Sequence, residues 1–236
     1  DLDIKKKLFE DLKKDFFNKN FNNKIINKIY ELVKNSQIST KIILDLFDGV
    51  ESDLKNKVIL ETREDLIIYS YRVAGTVGLM MAKILNVQSK NSLKAAIDLG
   101  IAMQLTNISR DVVEDDNRNR SYINMSFSSI KETLQLADKF YDSSFKSINE
   151  IPLSCRFAIL VARRVYRQIG NEILKTKNIE NYKKSGKIYV SKLGKLYQTL
   201  LSIFDLIKLI FTKSDERYSK NEHNIINEKI NLDERI

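Results

Sequence analysis

The chain has 236 residues and 43% apolar content, enough to bury a full core in one large domain. Its net charge is +9, but the lysines are scattered among Asn and Ile, and no nucleic-acid-binding module is visible. One cysteine, Cys155, excludes an internal disulfide, and one histidine, His223, leaves too little for a zinc cluster or a histidine-based triad.

One proline and seven glycines leave the chain little punctuated, which favours long helices over many-turned sheets. Apolar residues recurring at three and four positions predict helices over 3–17, 22–35, 39–55, 62–86, 89–115, 130–148, 152–177 and 188–212. Ser39 and Thr62 are expected N-caps, and Pro152 suits a first helical turn. No apolar run is long enough for a transmembrane helix, and no signal peptide is visible. Residues 1–213 read as a single helical domain. Leu196–Phe211 is apolar on more than one face, which is expected of a core helix packed on both sides; the competing reading is a membrane-touching surface. Residues 214–236 are polar and read as a disordered tail, with His223 inside it. Cys155 reads as a small core residue.

Two of these helices carry unusual stripes. On helix 62–86, Tyr71, Ala74, Gly75, Gly78 and Ala82 fall on one side. A helical glycine costs about 1 kcal/mol relative to alanine, so the pair needs a reason. Close helix–helix contact is one; a smooth trough for a hydrocarbon chain is another. On helix 89–115, Gln104, Asn107, Asp111 and Asp115 lie within roughly 80° at 100° per residue, with Gly100 and Ala96 continuing the stripe. An isolated carboxylate pair usually marks a solvated face. Here two amides extend it, and the set suits a divalent cation plus phosphate oxygens, with Arg110 in reach of a phosphate. Together the helices describe a polar mouth on an apolar interior, which fits an amphiphile carrying a diphosphate.

Tyr69-Ser-Tyr-Arg-Val-Ala-Gly-Thr-Val-Gly78 resembles the first signature of the squalene/phytoene synthases. Leu99 to Asp115, followed by Arg118 and Arg120-Ser-Tyr122, resembles the second. Ala162–Tyr166, Ile188–Lys192 and Phe47–Leu54 are similar to weaker family blocks. The resemblance spans about residues 5–205 and is closest to bacterial-type phytoene synthases.

The resemblance implies an all-α, single-domain isoprenoid (terpenoid) synthase bundle around a central cavity. It implies a head-to-head prenyltransferase that joins two geranylgeranyl diphosphates through a cyclopropylcarbinyl diphosphate to phytoene, in carotenoid biosynthesis. By the same resemblance Asp111 and Asp115 hold Mg²⁺, with Mn²⁺ as a substitute. Gln104, Asn107 and Arg110 surround the diphosphate, joined by Tyr189 and Lys192, and Arg110 is counted with the two aspartates as catalytic. Tyr71, Ala74, Gly75, Gly78 and Gly100 line the prenyl cavity. A cytoplasmic monomer or weak oligomer is expected, with a peripheral membrane contact for release of the hydrocarbon. Two departures stand out. The family's first aspartate-rich motif should lie upstream of Asp1, so the domain reads as N-terminally incomplete. The stretch between Tyr122 and Pro152 is short. Two alternatives therefore stay open: a squalene or dehydrosqualene synthase using farnesyl diphosphate, and a non-catalytic relative with a binding or assembly role.

Overall fold

Short polar caps set where the helices begin. In the computed structural model, which describes residues 2–212 and 220–236, Asn23, Ser39, Ser126, Asn178 and Ser191 each accept a backbone N–H from the first turn that follows them. Thr62 and Asp65 form a reciprocal capping box. The helices are α1 (Leu2–Phe17), α2 (Lys24–Asn35), α3 (Thr40–Ser52), α4 (Arg63–Ser70), α5 (Thr76–Ile84), α6 (Lys90–Asp116), α7 (Phe127–Phe145), α8 (Leu153–Leu174), α9 (Ile179–Lys184), α10 (Lys192–Ile210) and α11 (Lys220–Ile230). A π-turn, Tyr71–Gly75, joins α4 to α5, and a 3₁₀ turn, Lys146–Glu150, follows α7.

α6 is the axis of the molecule. Leu93, Ile97, Ile101, Leu105 and Ile108 are buried along it, and it packs on the π-turn, α5, α7 and α8. A helix buried nearly all round loses its amphipathic signature, which is why its polar stripe stands out only at the C-terminal end. Its crossing with the π-turn and α5 is close. A Cβ on Gly78 would lie 2.2 Å from the Ala96 carbonyl oxygen, and one on Gly100 would lie 2.3 Å from that of Ala74. Both glycines are therefore required by backbone contact.

β1 (Val58–Ile59) and β2 (Arg120–Ser121) form a short parallel pair. It brings Tyr122 beside α3 and α4, where its ring stacks on Tyr69 at 4.7 Å. Both phenols donate to Asp53, at 2.7 Å from Tyr122 and 2.9 Å from Tyr69. Cys155 is partly buried.

Two regions differ from expectation. Residues 220–236 are ordered: α11 and the 3₁₀ turn Leu232–Glu234 bury Ile226, Ile230 and Leu232 in the main core. Their charges make this possible, because Glu222 pairs with Arg63 (2.8 Å) and Arg235 with Asp45 (2.9 Å), while His223 is buried against Asp98. Residues 214–219 of the expected tail lie outside the described residues. α10 is not packed on both sides. It turns Gln198, Ser202, Asp205 and Leu209 inward and leaves Leu196, Leu200, Ile203, Phe204 and Ile207 exposed. Arg164 of α8 decides that orientation, since it grips both Asp205 oxygens (2.5 and 2.8 Å) and reaches Gln198.

Candidate active site

The last three turns of α6 carry the polar stripe. Arg110 folds onto its neighbour and donates to both Asp111 oxygens, at 2.9 and 2.6 Å. α9 caps this end of α6: the Tyr182 hydroxyl donates to the carbonyls of Ser109 (3.1 Å) and Arg110 (2.7 Å). Burial pushes the Tyr182 phenol up to about 12, so it remains a donor at neutral pH. The segment after α9 then brings Lys187 to 3.3 Å from Asp111 and 2.8 Å from Glu114. Lys187 and Tyr182 were missed by sequence reasoning, because their distance from the stripe is closed only by a helix too short to show periodicity.

The two aspartates sit in opposite electrostatic conditions. Burial raises the Asp111 pKa, but hydrogen bonds and charge from Arg110, helped by Lys187, outweigh it and hold the carboxyl below its ordinary value. The Asp115 carboxylate makes no hydrogen bond among the described residues. Burial first, and then the Asp111 charge, push its pKa up to about 6. Asn107 Oδ1 is buried without a hydrogen-bond partner. Gln104 is partly buried beside it on the same face.

Against the N-terminal half of α6 lies an apolar cavity of about 340 Å³. Val73, Ala74, Val77 and Gly78 form one wall, and Ala96, Leu99, Gly100 and Met103 of α6 form the other. Gln104 directly follows Met103, so the polar stripe begins on α6 where the cavity-lining residues end. Ala74, Gly78 and Gly100 thus line the cavity, and Gly78 and Gly100 also permit the close helix contact. Tyr71 and Gly75 face elsewhere. Tyr71 is fully buried with its hydroxyl on Asp45 (2.9 Å), and Gly75 packs on Ile97 and Ile101. The π-turn accounts for this, because an i→i+5 turn shifts the phase that a regular helical wheel assumes. Tyr189 is exposed but near enough to Arg110 to raise its pKa, behind the larger effect of Asp111. Lys192 is exposed in the first turn of α10 and makes no hydrogen bond or ion pair with the stripe among the described residues.

The donor set fits a hard divalent cation in part. Two carboxylates one turn apart and an unpartnered amide oxygen are the ligands Mg²⁺ takes alongside water. A cation there would also relieve the desolvation and repulsion that raise Asp115. Among the described residues no group of three His, Cys, Asp or Glu side chains converges on a point, so such an ion would need water or substrate oxygens to complete its shell.

Comparison with known proteins adds to this geometry. Residues 8–127, which include both signatures, match the model of the squalene/phytoene synthases. The chain belongs to the squalene/phytoene synthase family. It is 34% identical to a phytoene synthase of Pseudescherichia vulneris over 157 residues, 58% of this chain and 50% of that protein. It is 32% identical to the chloroplastic phytoene synthase 1 of Solanum lycopersicum over 215 residues, 80% of this chain and 51% of the relative. The chain spans about half the length of the curated relatives it matches. A crystal structure of a dehydrosqualene synthase in complex with ligand superposes with a TM-score of 0.71 at 26% identity, covering 85% of this chain and 78% of that one. The all-α bundle is thus a family isoprenoid synthase fold, and no helix among the described residues is long and apolar enough to cross a membrane.

Proposed function

We propose that this protein is a head-to-head prenyltransferase of the phytoene synthase type. The observation that carries the reading is the passage, along α6, from an apolar cavity to a mouth of amides, carboxylates and Arg110. The cavity takes a prenyl chain and the mouth takes its diphosphate. Two geranylgeranyl diphosphates would join with loss of two diphosphates and two protons, by way of a cyclopropylcarbinyl diphosphate. Asp111 and Asp115 would hold Mg²⁺ or Mn²⁺, which supplies charge neutralisation for the departing diphosphate. Arg110, already fixed by Asp111, presents its remaining N–H groups to phosphate oxygens; Gln104 and Asn107 orient the same group. Tyr189 stands beside Arg110, and Lys192 lies on the exposed flank nearby. The small residues at 74, 78 and 100 keep the wall smooth for an unbranched approach of the chain. A peripheral membrane contact is the release route that a hydrocarbon product requires.

The test is incubation with geranylgeranyl diphosphate and Mg²⁺, with phytoene read by chromatography. Absence of product together with absence of binding rejects the reading. The similarity to a dehydrosqualene synthase structure favours a second reading, in which farnesyl diphosphate is the substrate. Supplying both diphosphates in competition separates the two. Binding of either without turnover would point to the non-catalytic alternative.

A further inference from the structure

Residues 220–236 stand one layer behind both walls of the cavity. At one end Arg235 donates from Nε and Nη2 to the two oxygens of Asp45, at 2.9 and 3.0 Å. The same carboxylate accepts the Tyr71 hydroxyl. Tyr71 opens the π-turn, and the next residues but one, Val73 and Ala74, line the cavity. At the other end His223 Nε2 and the Ser143 hydroxyl both hydrogen-bond the fully buried Asp98 carboxylate. Asp98 lies on α6 between Ala95 and Leu99, and Ser143 adjoins Ser144; all three of those neighbours line the cavity. Arg63 of α4 holds Glu222 at 2.8 Å and fixes the start of α11.

We propose that residues 220–236 are a strap that positions the two cavity walls, with Arg235 acting through Asp45 and Tyr71, and His223 acting through Asp98. The proposal rests on the prenyl-binding reading of the cavity. Its physical basis is the geometry of the anchors. A two-pronged guanidinium–carboxylate pair fixes orientation as well as distance. The group it orients sits in a π-turn, a local departure from α-helix that needs outside support. The second anchor fixes the opposing wall, so the strap sets the separation of the walls as well as the pose of each.

Arg235→Met alone would leave the Asp45 carboxylate buried without its cation, and a general loss of stability would follow. The decisive variant is therefore the pair Asp45→Asn with Arg235→Met in the full chain, which removes the charge and the strap anchor together while leaving an acceptor for Tyr71. Three quantities are measured at a temperature where every variant is folded: the dissociation constant for geranylgeranyl diphosphate, that for inorganic diphosphate with Mg²⁺, and amide hydrogen exchange at Tyr71–Gly75. The double variant should regain most of the thermal stability that Arg235→Met loses. It should bind geranylgeranyl diphosphate about tenfold more weakly. Inorganic diphosphate should bind as in the wild type, and exchange at 71–75 should quicken. Wild-type exchange at 71–75 overturns the proposal, and so does wild-type affinity for geranylgeranyl diphosphate in a chain that binds it. If the wild type binds no prenyl diphosphate, the prenyl reading fails, and the exchange measurement alone decides for or against the strap.

Discussion

α10 and the strap were assigned opposite fates by their composition, and the structure reverses both. α10 is rich in Leu, Ile and Phe, yet its apolar face is exposed and its polar residues are inside. The strap is rich in Asn, Glu and Lys, yet it buries a histidine, a glutamate and three large aliphatic residues. Each reversal is made by polar and charged partners elsewhere in the chain. Arg164 draws Asp205 and Gln198 inward and so turns α10. Arg63 and the Asp45 and Asp98 carboxylates meet the strap's own polar side chains and so admit it. Composition reports what a segment would do against water; its partners decide what it does against protein.

The largest test of this comparison is at the seam of α10. Arg164→Met leaves Asp205, 7% exposed, without its guanidinium. A buried charge stripped of its partner costs about 3–5 kcal/mol, and chemical denaturation should show a loss of that order. Changing Asp205→Leu at the same time should recover most of it. Failure of the double variant to recover would mean that the pair does not set the orientation of α10. Next in size is Ile226→Ala in the strap. Ile226 is fully buried, and truncating such a residue costs about 2–4 kcal/mol. A loss of a few tenths would return residues 220–236 to the disordered tail that their composition suggests.

Most of the fold was legible because the eight main helices announce themselves by spacing and caps. Ser39 and Thr62 cap where expected. What was not legible depends on long-range pairing. His223 has no local signal, and its partner Asp98 lies 125 positions away. Lys187 reaches Asp111 across 76 positions of chain by the docking of Tyr182. Tyr71 was placed on the wrong face because a π-turn leaves no mark in a periodic pattern.

The contrast between paired and unpaired charge recurs inside the mouth, where it gives a pH signature. Asp115 has a folded pKa of about 6, against an ordinary value of 3.8. A raised carboxyl contributes stability that is fully present below the ordinary value and lost as pH rises through the folded one. Without Mg²⁺, wild-type stability should therefore carry a component that falls between about pH 4 and pH 6. Asp115→Asn should remove that component and raise stability at pH 7 by about 1–2 kcal/mol after screening. Mg²⁺ should stabilise the wild type and not the variant. Asp111 has the opposite sign: its lowered pKa contributes stability above the ordinary value that is lost only in stronger acid. If Asp115→Asn destabilises at pH 7 in the absence of metal, the carboxylate has a partner that the electrostatic account lacks.

The smallest expected effect is the sharpest test of α10. Ile203 and Phe204 are 45% and 66% exposed, and substitutions at such positions usually change stability by no more than about 0.5 kcal/mol. The pair Ile203→Ser with Phe204→Ser should leave the unfolding midpoint of the isolated chain nearly unchanged, because both side chains lie on the exposed face of α10. A loss of several kcal/mol would show that in solution these residues are buried, whether by another copy of the chain or by a rearranged α10. The two cases separate by concentration: a midpoint that rises with protein concentration marks association, and one that does not marks a turned helix. In either case the Arg164 pair would no longer be sufficient to explain how α10 sits.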